Sequence, residues 1–173
     1  MFISEENDYI EVVCGVLEGK YIDELEFSQF LDSRVKFDDL CLLNINIRSL
    51  SKNFDELQRL VNFSSKISII TLTETWLKSA STATALLPGY NFLHNPRKDK
   101  TGGGVGIFVS SKFNSQTIQN LTCMTPDIET IFVEIQLNKS IKLLVGSVYR
   151  PPNSSYDNFI SRLSEILKIC HRF

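Results

Sequence analysis

The apolar run Ile67–Thr73, with the sequence ISIITLT, constrains the fold more than any other segment of the chain. Such a run is typical of a strand buried on both faces. A second apolar strand is predicted over residues 42–47, and an amphipathic helix that starts near Phe54 lies between the two strands. This strand, helix, strand order favours parallel pairing of the two strands, so the sequence predicts an α/β fold.

The segments after this unit are mostly predicted strands. Residues 78–89 are mostly small and polar and predict a surface loop, and residues 156–169 place apolar side chains on one face of a helix. Alternation and Gly, Pro, Asn and Asp punctuation predict strands at residues 90–93, 104–109, 116–121, 130–137 and 142–149.

The first 39 residues differ from the rest in charge and pattern. Residues 1–40 contain eleven acidic and three basic residues, a net charge of −8, whereas residues 41–173 have a net charge of +6. Apolar residues at Ile10, Val13, Val16 and Leu17, and then from Leu25 to Leu31, predict one or two amphipathic helices. We therefore expect an acidic, helical extension at 1–39 and a body at 40–173. The positive charge of the body either contacts a polyanion such as nucleic acid or forms a solvated surface.

Composition places the chain among globular proteins. Its 173 residues are 43% hydrophobic and include twelve Phe, which is enough for a substantial core. We expect an intracellular protein, in the nucleus or cytoplasm, because an acidic start does not resemble a secretory signal and no long apolar run predicts a membrane span. The four widely spaced cysteines form no CxxC pair and predict reduced thiols.

Glu74 is the first candidate for chemistry, since it follows the buried run directly. The carboxyl end of a buried strand is where open α/β sheets usually build their sites. One carboxylate there suits Mg²⁺, which keeps several waters for a phosphate substrate. The alternative is a carboxylate that binds the backbone of a turn.

Polar side chains also lie at the ends of two other predicted strands. Asn44 and Asn46 share one face of the first strand, and an amide at that edge can contact a metal or a phosphate, or bond the following turn. Tyr149 ends a strand one residue before two prolines, which take the chain out of the sheet. Its hydroxyl can donate to a phosphate oxygen, although packing is the commoner role of such a tyrosine.

The glycine-rich run at residues 102–106 does not predict a nucleotide loop. It lacks the Lys-Ser or Lys-Thr of a P-loop and precedes a strand. Basic residues close to this run or to Tyr149 are candidate contacts for nucleic-acid phosphates, or else solvated surface charges: Arg97, Lys98, Lys100 and Arg150.

Five segments in one order produce a family resemblance. They are NINIRSL, NFDELQRLV, ITLTETWL, PGYNFLHNPRKDKTGGGVGIFV and GSVYRPP. Together they resemble the endonuclease/exonuclease/phosphatase superfamily over residues 40–169. Within it, the chain is most similar to the apurinic-type endonuclease domain of non-LTR retrotransposons of the LINE-like, jockey or CR1 type.

The resemblance implies a four-layer α/β sandwich, with two packed sheets between helices, and hydrolysis of DNA phosphodiesters with Mg²⁺ or Mn²⁺. Asn46 matches the family's first-strand Asn, with Asn44 as the alternative two residues earlier. Glu74 matches its metal-binding Glu, and Tyr149 matches its phosphate-facing Tyr. Family members nick target DNA for a fused reverse transcriptase, so DNA is the expected partner; the resemblance leaves the oligomeric state open.

The family's Gly-Asp-Phe-Asn and Ser-Asp-His segments do not occur in this sequence. Its catalytic Asp, Asn and His therefore have no counterparts here, and neither His94 nor His171 takes the role of the catalytic His. The expectation is a partial domain, without the C-terminal part of the sandwich, that is inactive alone. Two alternatives stay open: a domesticated remnant that binds DNA or a protein without cutting, and a phosphodiesterase or phosphatase for phospholipids or inositol phosphates.

Overall fold

A computed structural model describes residues 2–6, 9–13, 24–34, 40–62, 66–78, 87–97 and 102–171. Within these ranges it contains ten strands, three α-helices and one short 3-10 helix at Gln119–Leu121. The helices are α1 (Glu24–Arg34), α2 (Phe54–Asn62) and α3 (Tyr156–Cys170). The strands are β1 (Phe2–Glu6), β2 (Tyr9–Val13), β3 (Leu40–Asn46), β4 (Ile67–Thr73), β5 (Tyr90–Asn95), β6 (Val105–Ser110), β7 (Asn114–Thr117), β8 (Cys123–Met124), β9 (Glu129–Gln136) and β10 (Lys142–Tyr149).

Six strands form the first sheet, in the order β2-β1-β3-β4-β6-β5. β3 and β4 are parallel, with Asn44 beside Thr71 and Asn46 beside Thr73, whereas β6 is antiparallel to β4. The crossover through α2 is therefore the predicted strand, helix, strand unit. It brings the carboxyl ends of β3 and β4 to the same edge of the sheet.

The second sheet has the order β10-β9-β7, with β8 also paired to β9. β10 and β9 are antiparallel, and Tyr149 at the end of β10 lies opposite Glu129 at the start of β9. The Ser147 hydroxyl donates to the Leu72 carbonyl at 2.9 Å, a buried hydrogen bond that links β10 to β4 of the first sheet. This bond helps to fix how the two sheets face each other near Tyr149.

Three apolar clusters separate four layers. One lies between α1, α2 and the first sheet and includes Leu57 and Phe108. A second lies between the two sheets and includes Ile107 of β6 and Val133 of β9. The third packs Phe132 against Ile166 of α3. The predicted four-layer α/β sandwich is confirmed for the described residues.

The prediction for the first 39 residues is correct only in part. The segment that contains Ile10 and Val13 is strand β2, whereas Val16 and Leu17 lie outside the described residues. β1 pairs with β2 and, through Phe2 and Ile3, with β3. The helix prediction here is wrong because β-branched and aromatic residues suit a strand once a sheet edge is available. The helix predicted near Leu25 to Leu31 is confirmed as α1.

The strand predicted over residues 116–121 is also wrong at its end. β7 stops at Thr117, and the chain then turns into the 3-10 helix. Leu121 is buried in the cluster beneath α3, so it leaves the sheet to pack in another layer. Most of the predicted loop at residues 78–89 lies outside the described residues. In the described part of the chain, no helix is long and apolar enough to span a membrane.

Candidate active site

Glu74 and Tyr149 meet at one edge of the sandwich, although they belong to different sheets. Glu74 directly follows β4, and Tyr149 is the last residue of β10. The Tyr149 hydroxyl hydrogen-bonds to Glu74 Oε1. The structure therefore brings these two predicted site residues together.

Two loops hold the backbone around Glu74. On one side, the amides of Ser49 and Leu50 donate to the carbonyls of Glu74 and Thr75 at 2.8 and 2.9 Å. On the other side, the amides of Thr75 and Trp76 donate to the carbonyls of Gly104 and Gly103 at 3.1 and 2.9 Å. These four bonds define where the carboxylate leaves the sheet.

The backbone conformation of this region is unusual. The φ angles are +58° at Glu74, +55° at Trp76, +45° at Arg48 and +86° at Ser49. Non-glycine residues rarely adopt positive φ, and such conformations persist only where the surroundings impose them. In the described chain these four are all of the non-glycine residues with positive φ, and they cluster at the carboxyl ends of β3 and β4. Residues strained in this way are concentrated at functional sites of proteins.

The other oxygen of Glu74 accepts two hydrogen bonds. The Trp76 indole Nε1–H donates to Oε2 at 2.5 Å, and the Gly103 amide donates to the same atom at 2.9 Å. Trp76 is 41% exposed, so the carboxylate lies at the rim of the molecule. A carboxylate oxygen has two lone pairs, so Oε2 is saturated, whereas Oε1 accepts one bond from Tyr149 and retains a second lone pair.

Glu129 is the residue that the sequence interpretation missed. It is 0% exposed and lies on the face of β9 that meets the first sheet. Its Oε2 accepts from the Gly104 amide at 2.6 Å, and its Oε1 binds the Arg97 guanidinium through Nε and Nη2. The alternation of β9 contains the signal, because Glu129 is in phase with the buried Ile131 and Val133.

The basic residues predicted as phosphate contacts have different surroundings. Arg97 is mostly buried in its ion pair with Glu129, and a phosphate would compete with that pair. Arg150 is exposed and lies 3.5 Å from the carbonyl and the hydroxyl of Ser154. Lys98 and Lys100 lie outside the described residues. Nucleic-acid contacts by these side chains stay predictions.

Asn46 lies beside Thr73, the residue before Glu74, so it occupies the same edge of the sheet. Its side chain is exposed and lines a surface pocket with Arg48, Asn53 and Glu56. Asn44, the alternative, accepts a hydrogen bond from the Thr71 hydroxyl at 2.9 Å. Of the two amides, Asn46 is therefore nearer to the end of β4 that carries Glu74.

The donor set is compatible with a hard divalent cation. Glu74 Oε1 is a carboxylate oxygen with remaining capacity, and Mg²⁺ usually binds through one or two carboxylates and the phosphates of its substrate. The described residues include no cluster of three or more His, Cys, Asp or Glu placed to hold a metal. Glu74, and Asn46 at the same edge of the sheet, are therefore the described residues that could supply oxygen ligands to such a cation.

Comparison with solved structures identifies the fold. The endonuclease domain of TRAS1, a telomere-specific non-LTR retrotransposon, is similar with a TM-score of 0.50 and 12% identity over 75% of this chain and 52% of that one. The AP endonuclease LMAP from Leishmania major gives a TM-score of 0.52 and 15% identity over 72% of this chain and 43% of that one. D. rerio TDP2 with a single-strand DNA product has a TM-score of 0.48 and 16% identity over 76% of this chain and 52% of that one.

No family model matches the chain, and no curated protein matches it in sequence. The structural likeness shows that the chain has the α/β sandwich fold of the endonuclease/exonuclease/phosphatase superfamily, as the sequence resemblance implies. The chain spans about half the length of the solved structures that it resembles.

Proposed function

We propose that this chain is the N-terminal part of a Mg²⁺-dependent endonuclease domain of a non-LTR retrotransposon, which nicks target DNA by hydrolysing a phosphodiester bond. The observation that carries the proposal is the contact between Tyr149 and Glu74 at one edge of the two sheets. The fold, shared with two endonucleases, supports it. The motif match of Asn46, Glu74 and Tyr149 supports a site of this family, and the segments GGGVGIFV and VYRPP favour its retrotransposon branch.

Each residue has a role that its position allows. Glu74 would hold Mg²⁺ or Mn²⁺ through Oε1, because Oε2 is occupied by the Trp76 and Gly103 donors. The bound cation would stabilise the negative charge that develops on the phosphate. Tyr149 would donate to a phosphate oxygen at the same place, and the Asn46 amide would contact the phosphate or the cation from β3.

We also propose that residues 1–173 alone do not nick DNA at a measurable rate. Hydrolysis requires a positioned base that generates the attacking hydroxide, in addition to the cation. The hydrogen bonds of Glu74 in the described chain come from a phenol, an indole and a backbone amide, and none of these is a base at neutral pH. Removal of one member from a set of groups that act together commonly abolishes most of the rate.

The second candidate function is binding of DNA without cleavage, as in a domesticated remnant. The net charge of +6 on residues 41–173 favours it, since positive charge supplies most of the affinity for a polyanion. Such a protein would bind DNA in a salt-sensitive way that does not depend on Glu74.

A plasmid assay and a metal titration together test the proposal. The wild-type chain, Glu74→Ala and the control Glu134→Ala are incubated with supercoiled plasmid and Mg²⁺, and Mn²⁺ binding is followed by electron paramagnetic resonance. We expect Mn²⁺ binding in the wild type and the control, loss of binding in Glu74→Ala, and no nicking by any of the three. Nicking that disappears in Glu74→Ala would overturn the inactivity proposal, and Mn²⁺ binding unaffected by Glu74→Ala would overturn the metal role.

A further inference from the structure

Two carboxylates hold two consecutive glycine amides. The Gly103 amide donates to Glu74 Oε2 at 2.9 Å, and the Gly104 amide donates to Glu129 Oε2 at 2.6 Å. The carbonyls of the same glycines accept from the amides of Trp76 and Thr75. The position of these two residues, which we call the glycine loop, therefore determines where the Gly103 amide meets the Glu74 carboxylate.

Glu129, which binds the Gly104 amide, also forms a largely buried ion pair with Arg97. Glu129 is fully buried, and its Oε1 binds Arg97, whose side chain is 22% exposed. A buried carboxylate is tolerated when it is paired and hydrogen-bonded, and here the guanidinium and the Gly104 amide satisfy both oxygens. The pair is unlike a surface salt bridge because neither partner can move away without leaving a buried charge.

Gly103 lies against the Arg97 side of this ion pair, at a position that has no room for a side chain. Its φ is +67°, and a Cβ at this position would overlap the Arg97 guanidinium. The guanidinium therefore occupies the space next to Gly103 that a side chain would take in any other residue. Arg97, Glu129, Gly103 and Gly104 therefore pack together as one unit. This unit contacts Glu74 through the hydrogen bond that the Gly103 amide donates to Oε2.

We propose that Arg97 and Glu129 are positioning residues for Glu74. They hold the Gly103 amide against Oε2, so that Glu74 presents Oε1, beside Tyr149, to a divalent cation. Neither residue touches the cation in this arrangement; each acts through the glycine loop. The inference rests on the proposed function, because it takes Glu74 as the metal-binding carboxylate.

The test uses the full 173-residue chain with Glu129→Gln, Arg97→Lys, Glu74→Gln and the matched control Glu134→Gln. Glu134 lies on the same strand, β9, and pairs with Lys142 at 3.0 Å away from the glycine loop. Groups that orient a metal ligand typically change metal affinity by about tenfold or more when they are replaced. We expect Mn²⁺ affinity to fall about tenfold in Glu129→Gln and in Arg97→Lys, and to stay within about twofold of wild type in the control.

A second measurement needs no metal. Trp76 is the single tryptophan of the chain, and its indole donates to the same Glu74 oxygen as Gly103. Displacement of the loop should change the emission maximum of Trp76 in Glu129→Gln and Arg97→Lys, and leave it unchanged in Glu134→Gln. A purely structural ion pair would lower the unfolding midpoint without either effect.

The outcomes separate the two proposals. Retention of wild-type Mn²⁺ affinity by Glu74→Gln would contradict the proposed function. If Glu74→Gln loses Mn²⁺ while Glu129→Gln and Arg97→Lys keep wild-type affinity and Trp76 emission, the positioning role is overturned and the metal role stands. If circular dichroism shows that Glu129→Gln does not fold, Arg97→Lys decides, because it retains the positive charge and loses only the two-pronged contact.

Discussion

The Tyr149 hydroxyl donates to Glu74 Oε1 and joins two residues that are 75 positions apart in the chain. Glu74 directly follows β4 of the first sheet and Tyr149 is the last residue of β10 in the second, so the bond links the two sheets at the edge of the sandwich where both strands end. The backbone bonds at Glu74 and the Ser147 bond to Leu72 place the two side chains next to each other.

Tyr149→Phe should lower the free energy of unfolding by about 1 to 2 kcal/mol, because it removes a hydrogen bond to a charged group and keeps the ring. Urea denaturation followed by circular dichroism measures the change. The control is Tyr156→Phe on α3, where the side chain is 65% exposed and the change should stay below about 0.5 kcal/mol. Equal effects of the two substitutions would contradict the importance of the Glu74 bond.

Gly103→Ala should lower the unfolding free energy by about 2 to 3 kcal/mol, since it combines a left-handed backbone with overlap against the Arg97 guanidinium. Gly89→Ala isolates the first effect. Gly89 has φ of +80° in the turn after Pro88, and its Cβ would meet no atom of the described chain within 4 Å, so we expect a loss of about 1 kcal/mol. Chemical denaturation of both variants gives the comparison, and similar losses would show that Arg97 yields to the new methyl group.

The strands that carry the site were predictable because local pattern and tertiary context agree there. The predicted bounds of β4 and β10 match Ile67–Thr73 and Lys142–Tyr149. Each is a largely apolar run that ends at a polar residue or shortly before proline, a pattern that favours a buried strand with a defined end. β1 and β2 were not predicted, because their mixed pattern becomes a strand only through pairing with each other and with β3.

The site was only half predictable for a similar reason. Glu74 and Tyr149 are visible as polar residues at strand ends, whereas Glu129 looks like an ordinary surface carboxylate unless the alternation of β9 is extended back from Ile131. The bonds from Trp76 and Gly103 depend on positive φ angles at Glu74 and Trp76. Neither glutamate nor tryptophan is among the residue types that are enriched in that conformation.

Thr75→Val should raise the free energy of unfolding by about 1 kcal/mol, because it replaces a buried hydroxyl without a partner by a methyl group of similar size. Thr75 Oγ1 is buried and makes no hydrogen bond within the described chain. Thr71→Val is the matched control, since the Thr71 hydroxyl donates to Asn44 Oδ1 at 2.9 Å and its removal should cost about 1 kcal/mol. Opposite signs in urea denaturation are the expected result, and losses in both variants would mean that the Thr75 hydroxyl has a stabilising partner.

His94 should make stability depend on pH. Its ring stacks on Phe92 with centroids 5.0 Å apart, and its Nδ1 is buried without a hydrogen-bond partner in the part of the chain that the structure describes. Burial lowers the pKa of His94 below its usual value of 6.5. The unfolded chain therefore binds this proton more tightly than the folded chain does.

It follows that His94 does not reduce stability above the usual pKa, and that the free energy of unfolding decreases as the pH falls from there through the lower, folded-state pKa. In His94→Gln this decrease should be smaller between about pH 7.5 and about pH 5, because glutamine does not titrate in that range. Urea denaturation at several pH values measures both curves, with His171→Gln, a substitution at an exposed position after α3, as the control. Parallel pH curves for wild type and His94→Gln would show that the ring is protonated equally in the folded and unfolded chains.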